Sequence, residues 1–146
     1  MAVAAPPIGR PTAGRSAHDL LITARHSLVE ASVATTPSDR YVAAHLAALR
    51  AAAAMLAARG RPAVRTSRVM SAWVLLPRVA PDLAEWAAFF AAGAGKRAAA
   101  ETGVTCVSHR EADDLVRASD TFVGIVGEAL GELPHASISS TLFHAS

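Results

Sequence analysis

The sequence predicts an all-α protein, folded as an antiparallel bundle of four to five helices. Three observations carry that prediction. Hydrophobic residues make up 52% of the 146 positions and aromatics only 5%, so the core must be built largely from Ala, Leu and Val. Alanine is the strongest helix former, and its small side chain lets helices approach closely. Apolar residues also recur at spacings of three and four along several segments, whereas β-branched and aromatic runs of strand type are scarce. A chain of this length suits one domain around one core.

Residues 1–15 hold three prolines, two glycines and two arginines without periodicity, and are expected to form a disordered arm. The first helix is expected from about Ala17 to Val33, with Ser16 as N-cap and Asp19 three residues on. Leu21, Ala24, Leu28 and Ala31 make its apolar stripe. "TTPSD" then sets a strong start signal: Thr36 as N-cap, Pro37 at the first helical position and Asp39 in the first turn. The second helix runs from Pro37 to about Arg59 and stops at Gly60. At helical rise it spans roughly 34 Å.

The segment "RGRPAVRTSR" reads as a basic loop containing Arg59, Arg61, Arg65 and Arg68. A short helix over "SAWVLLPRV" follows, capped by Ser71 and bent or ended at Pro77. Pro81 then opens a longer helix, "PDLAEWAAFFAAGAGKRAAAE", with Asp82 and Glu85 in its first turn. The last helix has the clearest cap, the capping box Ser108-His-Arg-Glu111. Beyond it Ala112, Leu115, Val116, Ser119, Val123, Val126 and Leu130 trace one mostly apolar face. The bundle is thus expected over residues 16–131, with a flexible tail over 132–146.

Net charge is +2, and thirteen of the fourteen basic residues are arginine. Arg61, Arg65 and Arg68 are candidates for holding phosphate of RNA or nucleotide, with Trp73 nearby for stacking. Equally, the loop is ordinary exposed charge and both tryptophans belong to the core. Cys106 is the only cysteine, which excludes an internal disulfide framework and fits a reducing cytoplasm. "MAVAAPPIGRP" lacks the apolar stretch of a signal peptide. No uncharged apolar run approaches the roughly 20 residues that cross a bilayer; the segment from Trp86 to Gly95 is flanked by Glu85 and Lys96. A cytoplasmic protein without a membrane segment is expected.

Arg40 and His45 form the most pointed candidate site. A histidine can move a proton from a ribose 2′-hydroxyl, and an arginine can stabilise the charge developing on phosphorus. The internal nucleophile of RNA makes a metal unnecessary. Five helical residues turn through about 500°, however, leaving the two side chains about 140° apart. Composition alone predicts about 1.6 such Arg–His spacings in the chain. His45 also falls on a stripe with Tyr41, Ala48, Ala52 and Met55, which suits a packed histidine as well as a site residue.

Other chemistries find less support. "GAGK", residues 93–96, fails as a P-loop, because Phe90 stands where the first glycine belongs and Arg97 where Ser or Thr belongs. Its glycines suit close packing or a break in the helix instead, and Gly124 and Gly127 admit the same account. A di-metal bundle wants Glu-x-x-His on two helices; here the spacing occurs only at Glu132 and His135, around Pro134. Asp113 and Asp114 read as a solvated face. No metal and no cofactor are expected.

The stretches "TTPSDRYVAAHLAALRAAAAMLAARGRP" and "SAWVLLPRVAPDLAEWAAFFAAGA" together resemble the small actinobacterial members of the HEPN superfamily, over roughly residues 17–130. The resemblance implies a bundle of four or five helices, often dimeric. It also implies either a metal-independent RNase or a module that binds nucleotide or pairs with a nucleotidyltransferase. The Arg-x4–6-His motif of such RNases lies in a late helix. Here that helix reads "HREADDLVRASDTFVGIVGEAL", in which neither Arg110 nor Arg117 precedes a histidine at that spacing; the match is Arg40/His45 in the second helix. The expected function is therefore a non-catalytic binding or regulatory module for RNA, nucleotide or a protein partner, most simply as a homodimer. The alternatives are an RNase using Arg40 as phosphate anchor and His45 as acid/base, and a purely structural interaction bundle.

Overall fold

The computed structural model describes residues 13–60, 71–104 and 106–132. Among the described residues the chain forms α1 (Ala13–Val33), α2 (Pro37–Arg59), α3 (Ala72–Val79), a 3-10 turn (Pro81–Leu83), α4 (Ala84–Ala92), α5 (Ala94–Glu101) and α6 (His109–Ala129). All regular structure there is helical, and the architecture is a helical bundle.

Its centre is α2. This helix has the length and apolarity of a membrane-crossing segment, yet α1, α3, α5 and α6 all pack against it. Ala44, Ala47, Ala48, Ala51, Ala52 and Ala54 have no exposed surface, so neighbouring helices close down on the α2 backbone. A linker of Ala34, Thr35 and Thr36 folds α1 back antiparallel along it, in the most extensive helix pair of the bundle. Leu21, Leu28, Met55, Leu56 and Leu76 are fully buried, each adding roughly 1.5–3 kcal/mol of transfer free energy. The few aromatics gather in one place: Trp73 stacks on Phe90 at 5.2 Å, and Phe90 meets Phe122 at 5.2 Å.

The start signals act as their chemistry requires. The Thr36 hydroxyl accepts from the Asp39 N–H, Ser71 accepts from the Trp73 N–H, and Ser108 with Glu111 closes a complete capping box. Gly60 ends α2 at φ +85°, a conformation that costs glycine nothing.

Two boundaries differ from the sequence expectation. Helix α1 begins at Ala13, which puts Ser16 inside the helix rather than at its cap. The long helix expected from Pro81 divides into the 3-10 turn, α4 and α5. Its break falls at Gly93, where an added Cβ would lie 2.8 Å from the Tyr41 hydroxyl. Any side chain at this position would require the Tyr41 hydroxyl to shift. Helix α4 thereby packs on α3, while α5 returns to α2.

Candidate functional site

The stripe on α2 holds as a buried stripe: Tyr41, His45, Ala48, Ala52 and Met55 all lie inside. His45 has no exposed surface, and its Nε2 stands 2.8 Å from the Phe90 carbonyl oxygen. A carbonyl can only accept, so Nε2 carries the proton and donates it. Phe90 lies in the last turn of α4, where carbonyls lack a partner within their own helix. The same oxygen also accepts from the Gly93 N–H at 3.1 Å. His45 Nδ1 is buried without a hydrogen-bond partner among the described residues. Burial pushes the imidazole pKa below its ordinary value; the Phe90 bond opposes that and the Arg97 charge adds to it. His45 is neutral at pH 7, with its one proton engaged.

Arg40 has different company. Its Nη1 donates to the Ala31 and Ser32 carbonyls, at 3.1 and 3.3 Å, and its Nη2 donates to Asp113 Oδ1 at 2.8 Å. Helix α1 carries no basic residue in its own last turn, so α2 supplies the cation that its terminal carbonyls favour. Arg59 does the same for α3, donating to the Val79 carbonyl at 3.2 Å. Three polar side chains of α2 thus cap the C-terminal ends of three other helices. Arg40 and His45 share no hydrogen-bond partner, consistent with their angular separation along the helix.

Beside Gly93 opens a cleft of about 280 Å³, lined by Tyr41, His45, Phe89, Phe90, Ala92, Gly93, Lys96 and Leu115. Phe89 stands at its edge, 51% exposed. Lys96 is ion-paired with Glu111, and Glu111 also accepts from the Ser108 N–H. The hydrogen bond between the two side chains raises the Lys96 pKa and lowers that of Glu111. Desolvation raises the pKa of the Tyr41 phenol, keeping it protonated at neutral pH. Chemically the cleft is an apolar recess with a neutralised polar rim. It suits an inserted apolar or aromatic group better than a charged one.

A second hollow, about 420 Å³, runs along exposed α6 between Arg110, Asp113, Asp114 and Arg117. Its charges are largely matched: Asp113 accepts from Arg40, and Asp114 accepts from Arg117 at 2.5 Å. Asp113 is therefore a tie between helices rather than only a solvated face. Trp73, considered for base stacking, is only 7% exposed and packed against Phe90. Arg61, Arg65 and Arg68 lie outside the described residues, as does His135. Among the described residues no three His, Cys, Asp or Glu side chains are grouped as a metal site requires.

The cleft escapes sequence reasoning because its walls come from α2, α4, α5 and α6. Only the "GAGK" stretch, readable as a helix break, marks its position. Comparison with curated proteins and with solved structures gives no match. The model of the SAV_6107-like HEPN family matches residues 31–127, well over half of the chain. That span runs from the end of α1 to the end of α6 and takes in the cleft, the central helix and both Arg40 and His45. On this match the chain belongs to the SAV_6107-like HEPN domains.

Proposed function

We propose that this protein is a non-catalytic HEPN binding module whose described surface serves a protein partner. The carrying observation is the employment of Arg40 and His45 as caps of two different helices. A general acid/base must reach the proton it transfers. His45 has no exposed surface, and Nε2 already donates its proton to a backbone carbonyl. An arginine that serves the α1 terminus and Asp113 together has little left for a transferring phosphate. Surface chemistry supports the protein partner. Arg40, Lys96, Arg97 and Arg117 face carboxylates in ion pairs, whereas polyanion binding draws on uncompensated cations. Of the exposed arginines, Arg78 and Arg110 have no such pair among the described residues. RNA or nucleotide contact, on this reading, rests with Arg61, Arg65 and Arg68.

The test uses the full chain, Arg40→Ala and His45→Ala with end-labelled RNA in EDTA, each checked by circular dichroism. The expected result is no cleavage by any of them, with both variants less stable than wild type. Cleavage by wild type that both folded variants lose overturns the reading in favour of the RNase. A salt-sensitive gel shift with RNA, removed by substituting Arg61, Arg65 and Arg68, transfers the partner assignment from protein to RNA.

A further inference from the structure

We propose that this chain's own carboxyl-terminal segment occupies the cleft, with Phe143 seated between Phe89, Gly93 and Leu115. The inference goes beyond the binding-module reading: it gives the recess an occupant from within the chain, which a partner must displace.

A seam leads from the end of α6 to the cleft. Helix α4 packs on α3, and α6 packs on α2 and α1, so α4 and α6 share no extensive contact. Between them the rings of Trp86 and Phe122 meet, with centroids 5.6 Å apart, and Trp86 is only half-buried. On α6, Ala118, Phe122, Ile125 and Ala129 follow at spacings of four, three and four, on the side that Phe122 turns to α4. Ala118 and Ile125 are half-buried there. One end of this apolar track is Leu115, a wall of the cleft. Its other end is where the chain leaves α6.

A Schellman motif turns the chain at that exit. The Glu132 N–H donates to the Gly127 carbonyl at 2.9 Å, and the Gly131 N–H donates to that of Glu128 at 3.0 Å. Gly131 takes φ +75°, which carries the chain off the helix axis. From Glu132 back to Leu115 is roughly 25 Å along α6 at helical rise. From Glu132 on to Phe143 an extended chain spans up to roughly 36 Å. The reach is sufficient, with slack for the turn. Composition agrees with the destination. Residues 133–146 hold no Asp, Glu, Lys or Arg, which suits a cleft whose Lys96 is already paired with Glu111. Of the four phenylalanines, Phe143 is the one outside the described residues. At about 280 Å³ the recess has ample room for its ring, since an apolar cavity of about 150 Å³ binds benzene.

Paramagnetic relaxation in the full chain tests this. A nitroxide is attached through Ser146→Cys, with Cys106→Ser removing the native thiol. The amide signals of Phe89, Gly93 and Leu115 should lose most of their intensity. Adding Phe143→Ser should restore them with little change in melting temperature. Isotope-labelled chain without nitroxide, mixed with nitroxide-bearing chain at natural abundance, should show no such loss. Cleft signals that keep their intensity overturn the proposal and leave the recess open to a partner. Loss that Phe143→Ser does not relieve overturns the role of Phe143. Loss in the mixed sample assigns the segment to a second copy and overturns docking within one chain. RNA cleavage, by contrast, sinks the binding-module reading and leaves this docking untouched.

Discussion

Arg40 and His45 stand five residues apart on α2, and each closes the carboxyl-terminal end of a different helix. Arg40 takes the Ala31 and Ser32 carbonyls of α1, and His45 takes the Phe90 carbonyl of α4. The central helix therefore does more than fill the core with alanine. It donates hydrogen bonds to the C-terminal carbonyls of its neighbours, at Phe90 in addition to the Gly93 N–H.

Arg40→Ala should lower stability by about 1–3 kcal/mol, since it leaves two terminal carbonyls and Asp113 without their donor. Arg40→Lys should recover little, because an ammonium cannot reproduce the planar fork. Asp113→Ala should cost less than about 1 kcal/mol, its carboxylate being half exposed and screened. Urea unfolding of the three variants checks the ranking.

His45→Ala should be the more damaging change, on the order of 3 kcal/mol, because it opens a buried cavity and removes a donor from the Phe90 carbonyl. His45→Gln, which keeps a donor of comparable reach, should recover part of that loss. Equal stability of His45→Ala and wild type would contradict the capping role.

The same residue sets a pH dependence. Its folded pKa lies below the ordinary 6.5, so the unfolded chain binds the proton more tightly. Stability is full above that value, falls as pH drops through about 6.5, and levels off below the folded pKa. Melting temperatures between neutral and mildly acidic pH should show this decline in wild type and a flatter profile in His45→Gln.

Gly93→Ala tests the break between α4 and α5. The new methyl would meet the Tyr41 hydroxyl at 2.8 Å, and overpacking of this kind costs about 1–3 kcal/mol. Tyr41→Phe removes the clashing oxygen, so the double variant should be more stable than the sum of the two single effects predicts. A thermodynamic cycle on melts of the four proteins measures that coupling. Simple additivity would mean that Gly93 is not held by this contact.

Much of the bundle was legible from local chemistry. Caps at Thr36, Ser71 and Ser108, the stop at Gly60 and the apolar stripes of α1, α2 and α6 depend on neighbours within a few residues. Such interactions are written in adjacent letters. The start of α1 is the exception, because Ser16 offers the same cap chemistry whether or not a helix has begun before it.

Side-chain partners across the bundle were not legible. Asp113 is 73 residues from Arg40, and Phe90 is 45 from His45; no periodicity links either pair. By itself the sequence determined a helical protein with one core, its caps, and a histidine on a buried stripe. Only the tertiary structure decided that Arg40 and His45 answer to separate helix ends, and that a glycine in α4–α5 leaves a recess beside an exposed phenylalanine. The reason is physical. Helix formation is governed by bonds a few residues long, whereas an unsatisfied carbonyl or an open recess exists only once distant helices have been brought together.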